Sequence, residues 1–272
     1  MERIINVTPL QWIELLLSKG RHAFSLTEFR NTFPGLTHNA VKLSLNRLAK
    51  KGKVLSVHQG YYIIVPPQYS TRGILPPSLF IDGLMQYLER PYYVGLLSAA
   101  ALHGAAHQQP QEYFIVTNFP VLRPTIRKRI KINYISRKEI HSTFLEKRKT
   151  DTGYLWVSSP ELTATDIIQY EQRIGGLSRA TTVINELVEE MKVSRLNETL
   201  LRVIPTTVVQ RLGFLLDIVL KQKKLANRLY TVSLQVGHTF YRVPLKASDP
   251  VKGLSSDKRW KVIHNSEIEI DE

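Results

Sequence analysis

There is no cysteine anywhere in the 272 residues, which excludes a disulfide framework, a thiolate zinc site and a cysteine nucleophile. No apolar run approaches the roughly 20 residues that a membrane helix needs. Met1-Glu2-Arg3 leads into an amphipathic stretch rather than the apolar core of a signal peptide, so a soluble, cytoplasmic chain is expected. Acidic residues are scarce: 23 Asp and Glu stand against 37 Lys and Arg, leaving a net charge of +14. Such an excess suits a polyanionic partner, most commonly nucleic acid. With 43% hydrophobic and 22% charged residues the composition is globular rather than that of a linker or fibre, and the length favours two domains.

Signatures of catalysis are missing as well. Phosphate-loop and dinucleotide glycine patterns do not occur, and there is no Asp-x-Asp of the kind a nucleotidyltransferase uses. The Glu-x-Lys spacing of a metal-dependent nuclease is found at Glu190-Met191-Lys192, but inside a stretch, 181–192, that reads as helix where the chemistry requires a strand. His103 and His107 are four apart and could share a helix face, yet nothing nearby completes a metal site. No catalytic residue, metal or cofactor is therefore expected, and the chain does not read as an enzyme.

The positive charge is uneven. Residues 1–65 carry nine basic and three acidic side chains, and residues 121–151 carry ten and three, whereas 152–272 carry sixteen and fourteen. Pro66-Pro67 and Pro76-Pro77 bracket a Ser-Thr-Gly-containing stretch suited to an extended linker. The expected organisation is a domain over 1–65, a linker over 66–77 and a second domain over 78–272.

In the first domain, Leu10–Lys19 has helical apolar spacing and stops at Gly20. Ser25-Leu26-Thr27-Glu28 has the form of a capping box for a helix to about Thr32. Thr37 can cap a third helix to about Lys51, and Val54–Val57 with Tyr61–Val65 read as a hairpin about His58-Gln59-Gly60. Three helices followed by a hairpin is the winged helix-turn-helix order. Val41, Leu45 and Leu48 fall on one side of the third helix, and Asn39, Lys42, Asn46 and Lys50 on the other. A solvated helix face would carry the same residues, so the stripe gains meaning only with the element order and the charge. Together they predict DNA binding, with Thr37, His38 and Asn39 deepest in a major groove, Lys42, Asn46 and Arg47 following, Lys50, Lys51 and Lys53 on phosphates, and His58 and Gln59 at the wing tip. Of Tyr61 and Tyr62, alternation puts one in the core.

Beyond the linker, Leu79–Leu88 and the small-residue run Tyr92–Gly104 read as helices, the latter able to pack closely through Ser98, Ala99, Ala100, Gly104 and Ala105. Strands are expected at Tyr113–Thr117, Ile130–Ile135 and Tyr154–Val157, a Ser159-capped helix from Pro160, further helices to about Leu229, and a hairpin of Tyr230–Leu234 with Phe240–Val243. The fold class is thus α+β, a winged helix-turn-helix followed by a mixed α/β domain. The central basic residues Arg123, Arg127, Lys128, Arg129 and Lys131 are either a solvated face or a second nucleic-acid surface.

The run from Tyr92 to Pro110 (YYVGLLSAAALHGAAHQQP), Ser158 to Asp166 (SSPELTATD) and Arg211 to Asp217 (RLGFLLD) resemble the AbiEi family, antitoxins of type IV toxin–antitoxin systems linked to abortive phage infection. The resemblance implies an autoregulatory protein whose N-terminal domain represses its own operon by binding inverted repeats in duplex DNA, and whose C-terminal domain counters a nucleotidyltransferase-like toxin without a stable complex. The alternative is a winged-helix transcriptional regulator whose C-terminal domain senses a ligand or a protein.

Overall fold

A computed structural model describes residues 7–70, 75–105, 112–127 and 129–270. Its contacts divide the chain into two compact units, one of residues 1–93, 111–140 and 146–156, the other of residues 94–110, 141–145 and 157–272. The stretch 66–77 falls inside the first unit, and in place of a fully extended linker it contains one helical turn, Pro67–Ser70. Within that stretch, residues 71–74 lie outside the described residues.

The first unit begins with α1 (Pro9–Ser18), β1 (Ala23–Ser25), α2 (Leu26–Thr32), α3 (His38–Lys50), β2 (Val54–His58) and β3 (Tyr61–Ile64). Helix α1 starts at a complete capping box, Thr8 with Gln11. The box expected at Ser25 is only half formed: Ser25 Oγ accepts from the Glu28 amide at 3.0 Å, but the Glu28 carboxylate turns to Arg21, at 2.6 and 2.9 Å. The bidentate guanidinium offers it a charge-assisted partner that a backbone amide cannot match. Strand β1, unforeseen in the sequence, joins β3 antiparallel with Ala23 opposite Ile63, and β3 pairs β2. Trp12, Ile13, Leu16, Phe24, Phe29, Val41, Leu45, Leu48, Val54 and Ile64 form one core, in which Trp12 stands edge-on to Phe24 and Phe29 at 5.0 and 5.5 Å.

After the turn Pro67–Ser70, labelled α4, come α5 (Ile81–Tyr87), β4 (Tyr92–Val94), α6 (Leu96–Leu102), β5 (Tyr113–Thr117), β6 (Thr125–Arg127), β7 (Ile130–Ser136), β8 (Leu145–Thr150) and β9 (Gly153–Ser158). The strands make a six-stranded sheet in the order β6-β7-β5-β4-β9-β8. Strand β7 is parallel to β5 and antiparallel to β6. The run expected as one helix from Tyr92 is in fact strand, then the cap Gly95, then α6. Tyr92, Tyr93 and Val94 are all buried, as a strand interior to a sheet favours for β-branched and aromatic side chains.

The second unit holds α6, α7 (Pro160–Gln169), α8 (Leu177–Leu187), α9 (Glu198–Arg202), α10 (Thr206–Phe214), a π-helical continuation Leu215–Val219, α11 (Lys223–Gln235) and a short parallel pair, β10 (Val243–Pro244) with β11 (Val262–Ile263). Helix α11 absorbs Tyr230–Leu234, which the sequence assigned to a hairpin. Leu225, Ala226, Leu229, Val232 and Ser233 bury one helical face, and that period outweighs the β-branched content of the stretch. Helix α8 ends at Leu187, so Glu190-Met191-Lys192 lies in the turn beyond it rather than on helix. Among the described residues no helix is long and apolar enough to cross a membrane.

Candidate nucleic-acid interface

Helix α3 is built to present one face. Thr37 Oγ1 accepts from the Ala40 amide at 3.3 Å, so this side chain is committed to capping. Val41, Leu45 and Leu48 are buried, and their 3.6-residue spacing turns His38, Asn39, Lys42, Asn46, Arg47 and Lys50 outward, all of them exposed. No acidic residue occurs on α3, and Lys51 and Lys53 extend the basic run past its end, both exposed. Leu43, 55% exposed, sits within this face. The sequence reading passed over it because a lone leucine carries no charge signal, but an aliphatic side chain among amides and ammonium groups is suited to a thymine methyl.

At the hairpin tip Gln59 is exposed and His58 half-buried. The His58 ring is spoken for: Nδ1 lies 3.1 Å from the Gln59 carbonyl, and the ring stands edge-on to Tyr87 at 6.4 Å. The Tyr87 hydroxyl donates to the same carbonyl at 3.3 Å. Tyr61 is the core tyrosine of its pair, and burial pushes its phenol up, keeping it neutral. Tyr62 is half-buried and stacks on Phe24 at 5.4 Å.

The central basic residues do not act as one set. Arg127 Nε donates to the Ser56 carbonyl at 3.2 Å, and Lys131 is paired with Glu112. Arg123 and Arg129 are exposed, and Lys128 lies outside the described residues. Arg123 and Arg127 share with Val57, His58 and Gln59 the wall of a cleft of about 350 Å³.

In the second unit the resembling segments are structural in their contacts. Helix α7 is buried from Pro160 to Ile168, and several of its polar groups find partners inside the fold, although Glu161 Oε2 and Gln169 Oε1 are buried without one among the described residues. Thr163 Oγ1 donates to the Ser159 carbonyl at 2.8 Å, Ser158 Oγ meets Thr163 Oγ1 at 2.7 Å, and Glu161 Oε1 accepts from the Lys192 amide at 2.7 Å. His103 is buried with Nε2 at 2.7 Å from the Ser158 carbonyl, and His107 lies outside the described residues. Among those residues no group of three or more His, Cys, Asp or Glu could hold a metal. Gly104 has φ of 85° and open space where a Cβ would stand, so its place is the left-handed stop after α6, not a close helix contact.

Arg211, Gly213 and Asp217 dock the C-terminal segment. Arg211 pairs with Glu171 and donates through Nε to the Leu245 carbonyl at 2.7 Å. Gly213 lies directly under the Trp260 ring, where a Cβ would overlap it. Asp217 accepts from Lys223 at 2.6 Å, Arg259 at 2.9 Å and the Trp260 indole at 3.0 Å. Burial resists its ionisation, but the hydrogen bonds from Lys223 and Trp260 and the charges of Arg259 and Lys223 win, holding the carboxyl below its ordinary value. A depressed carboxyl contributes stability in full above the unfolded value of about 3.9 and loses it as pH falls through the lower folded one. Asp217→Asn should therefore lower the melting temperature at pH 7 and flatten its decline below about pH 4; parallel melting curves for parent and variant from pH 7 to 3 would contradict this.

Comparison with known proteins bears on both units. Residues 93–218 match the model of the AbiEi antitoxin C-terminal domain. A search of the curated proteins finds no match. Among solved structures, the RV2827C protein from Mycobacterium tuberculosis is similar at 16% identity and a TM-score of 0.67, covering 93% of this chain and 89% of that one, a likeness of fold alone. The match over 93–218 spans α6, α7 and the Arg211–Asp217 segment, so this part of the chain is similar to the AbiEi antitoxin C-terminal domain.

Proposed function

We propose that the protein is a cytoplasmic type IV antitoxin that also represses its own operon. In this reading residues 1–65 form a winged helix-turn-helix that binds inverted repeats, with α3 in the major groove and the β2–β3 hairpin as wing. Residues 78–272, joined to it through 66–77, counter a nucleotidyltransferase-like toxin without a stable complex. The observation that carries the DNA reading is the exposed, acid-free face of α3 behind a fully formed core. Support for the antitoxin role comes from the family match. No catalytic group is invoked: the protein acts by binding.

If the reading holds, the full chain binds a duplex from its own promoter with log K falling linearly in log salt, by about 0.9 for each phosphate neutralised. Titrations at 50 to 200 mM salt check this, and salt-insensitive binding contradicts it. Lys50→Ala should weaken operator and scrambled duplexes alike, whereas Asn39→Ala should lose about 1–3 kcal/mol on the operator only; equal behaviour of the two variants would remove Asn39 from base reading.

A second reading, a regulator that senses a ligand, draws on a cleft of about 610 Å³ lined by Arg21, Glu28, Tyr61, Asp82, Tyr87 and Tyr154. Of its charged groups, Arg21 and Glu28 pair with each other, and Asp82 accepts from the Tyr92 hydroxyl and the Gln86 amide, which favours the first reading. Rescue of growth against a toxin encoded beside this gene separates the two.

A further inference from the structure

The six-stranded sheet sends a loop, residues 118–124, to the side of the β2–β3 hairpin tip. It is held at both ends. Arg90 donates to the Asn118 carbonyl at 3.2 Å and to that of Pro120, and Arg127, at the end of β6, donates to Ser56 on β2 at 3.2 Å. The cleft of about 350 Å³ that Arg123 shares with His58 and Gln59 puts loop and hairpin tip side by side. What the loop and the strand after it display is unusual for a solvated surface: Phe119 and Val121 on the loop and Ile126 on β6 are 57%, 67% and 57% exposed, interleaved with the exposed Arg123 and followed by Arg129. Neither arginine has an ion-pair partner among the described residues. Unpaired cations would favour any polyanion, but cations set among uncovered apolar side chains on a fixed loop are the chemistry that enters a minor groove, where guanidinium groups meet enhanced negative potential and apolar groups meet the sugar walls.

We propose that the 118–124 loop and strand β6 form a second DNA contact, continuous with the hairpin tip, that places Arg123 in the minor groove flanking the site read by α3. The proposal rests on the DNA-binding reading above and extends it to a part of the chain outside residues 1–65. Arg127 is a positioning residue here, since its guanidinium is used to tie β6 to β2. The contact lengthens the footprint and adds affinity that does not depend on the bases under α3.

The test uses the full chain and a labelled 60-base-pair duplex spanning its own promoter. Arg123→Ala with Arg129→Ala should reduce the slope of log K against log salt by about two. It should also remove hydroxyl-radical protection, which reports minor-groove sugars, from one flank of the footprint, while guanine N7 protection under α3 persists. Phe119→Ser with Val121→Ser should lose the same flank with an unchanged slope. All four positions are exposed, and matching circular dichroism confirms that the variants fold. An unchanged slope and flank in the arginine variant overturns the proposal, as does a loss confined to RNA or to a protein partner. Lys42→Ala with Asn46→Ala is the control for the parent reading: if it too binds as the parent does, or the parent does not bind the duplex at 50 mM salt, DNA binding itself fails. If only the α3 variant loses binding, the loop contact alone is wrong.

Discussion

Trp260→Ala should destabilise the second unit by about 3–5 kcal/mol, the range for removing a fully buried aromatic. The side chain is entirely enclosed, stacked near Phe240 with centroids 5.7 Å apart and edge-on to Tyr230 at 5.4 Å. Its loss opens a cavity and also strips one of three donors from the buried Asp217 carboxylate, which a buried charge tolerates poorly. The reciprocal change, Gly213→Leu, should fail for the opposite reason, because the added bulk occupies the volume of the indole. Urea denaturation followed by circular dichroism measures both, and rescue from the toxin should fall with stability in each. A Trp260→Ala chain within about 1 kcal/mol of the parent would mean that the 211–217 segment does not anchor the C-terminus as described.

How far the sequence foretold this depended on the range of each interaction. The α3 face was legible because Val41, Leu45 and Leu48 set a helical period and Thr37 marks its start, all within 12 residues of one another. The Ser159 cap with Pro160 in the first turn was legible for the same reason. Strand β1 was not: three residues carry no period, and they are strand only because β3 lies beside them. Nor was the role of Gly213, whose partner Trp260 is far along the chain and is brought to it by the Asp217 hydrogen bonds. Among the central basic residues, the sequence showed the charge but not its division into Lys131, paired with Glu112, Arg127, tied to Ser56, and Arg123 and Arg129, which have no ion-pair partner among the described residues.

The proposed function divides the labour, assigning DNA binding to the α3 face and the countering of a toxin to the C-terminal part. Lys42 and Asn46 are four residues apart on the exposed side of α3, with no core contact to lose, so replacing both by alanine changes the surface and little else. An alanine at each position is also a good helix former. The double variant forfeits one cation and one amide able to hydrogen-bond adenine bidentately, and repression should fall to the level of a strain without the protein. The most direct measurement reads a reporter fused to the native promoter and growth against the cognate toxin in the same Lys42→Ala, Asn46→Ala strain. The predicted result is a derepressed reporter with rescue intact; loss of rescue by the folded variant, or full repression with both residues gone, would contradict the account.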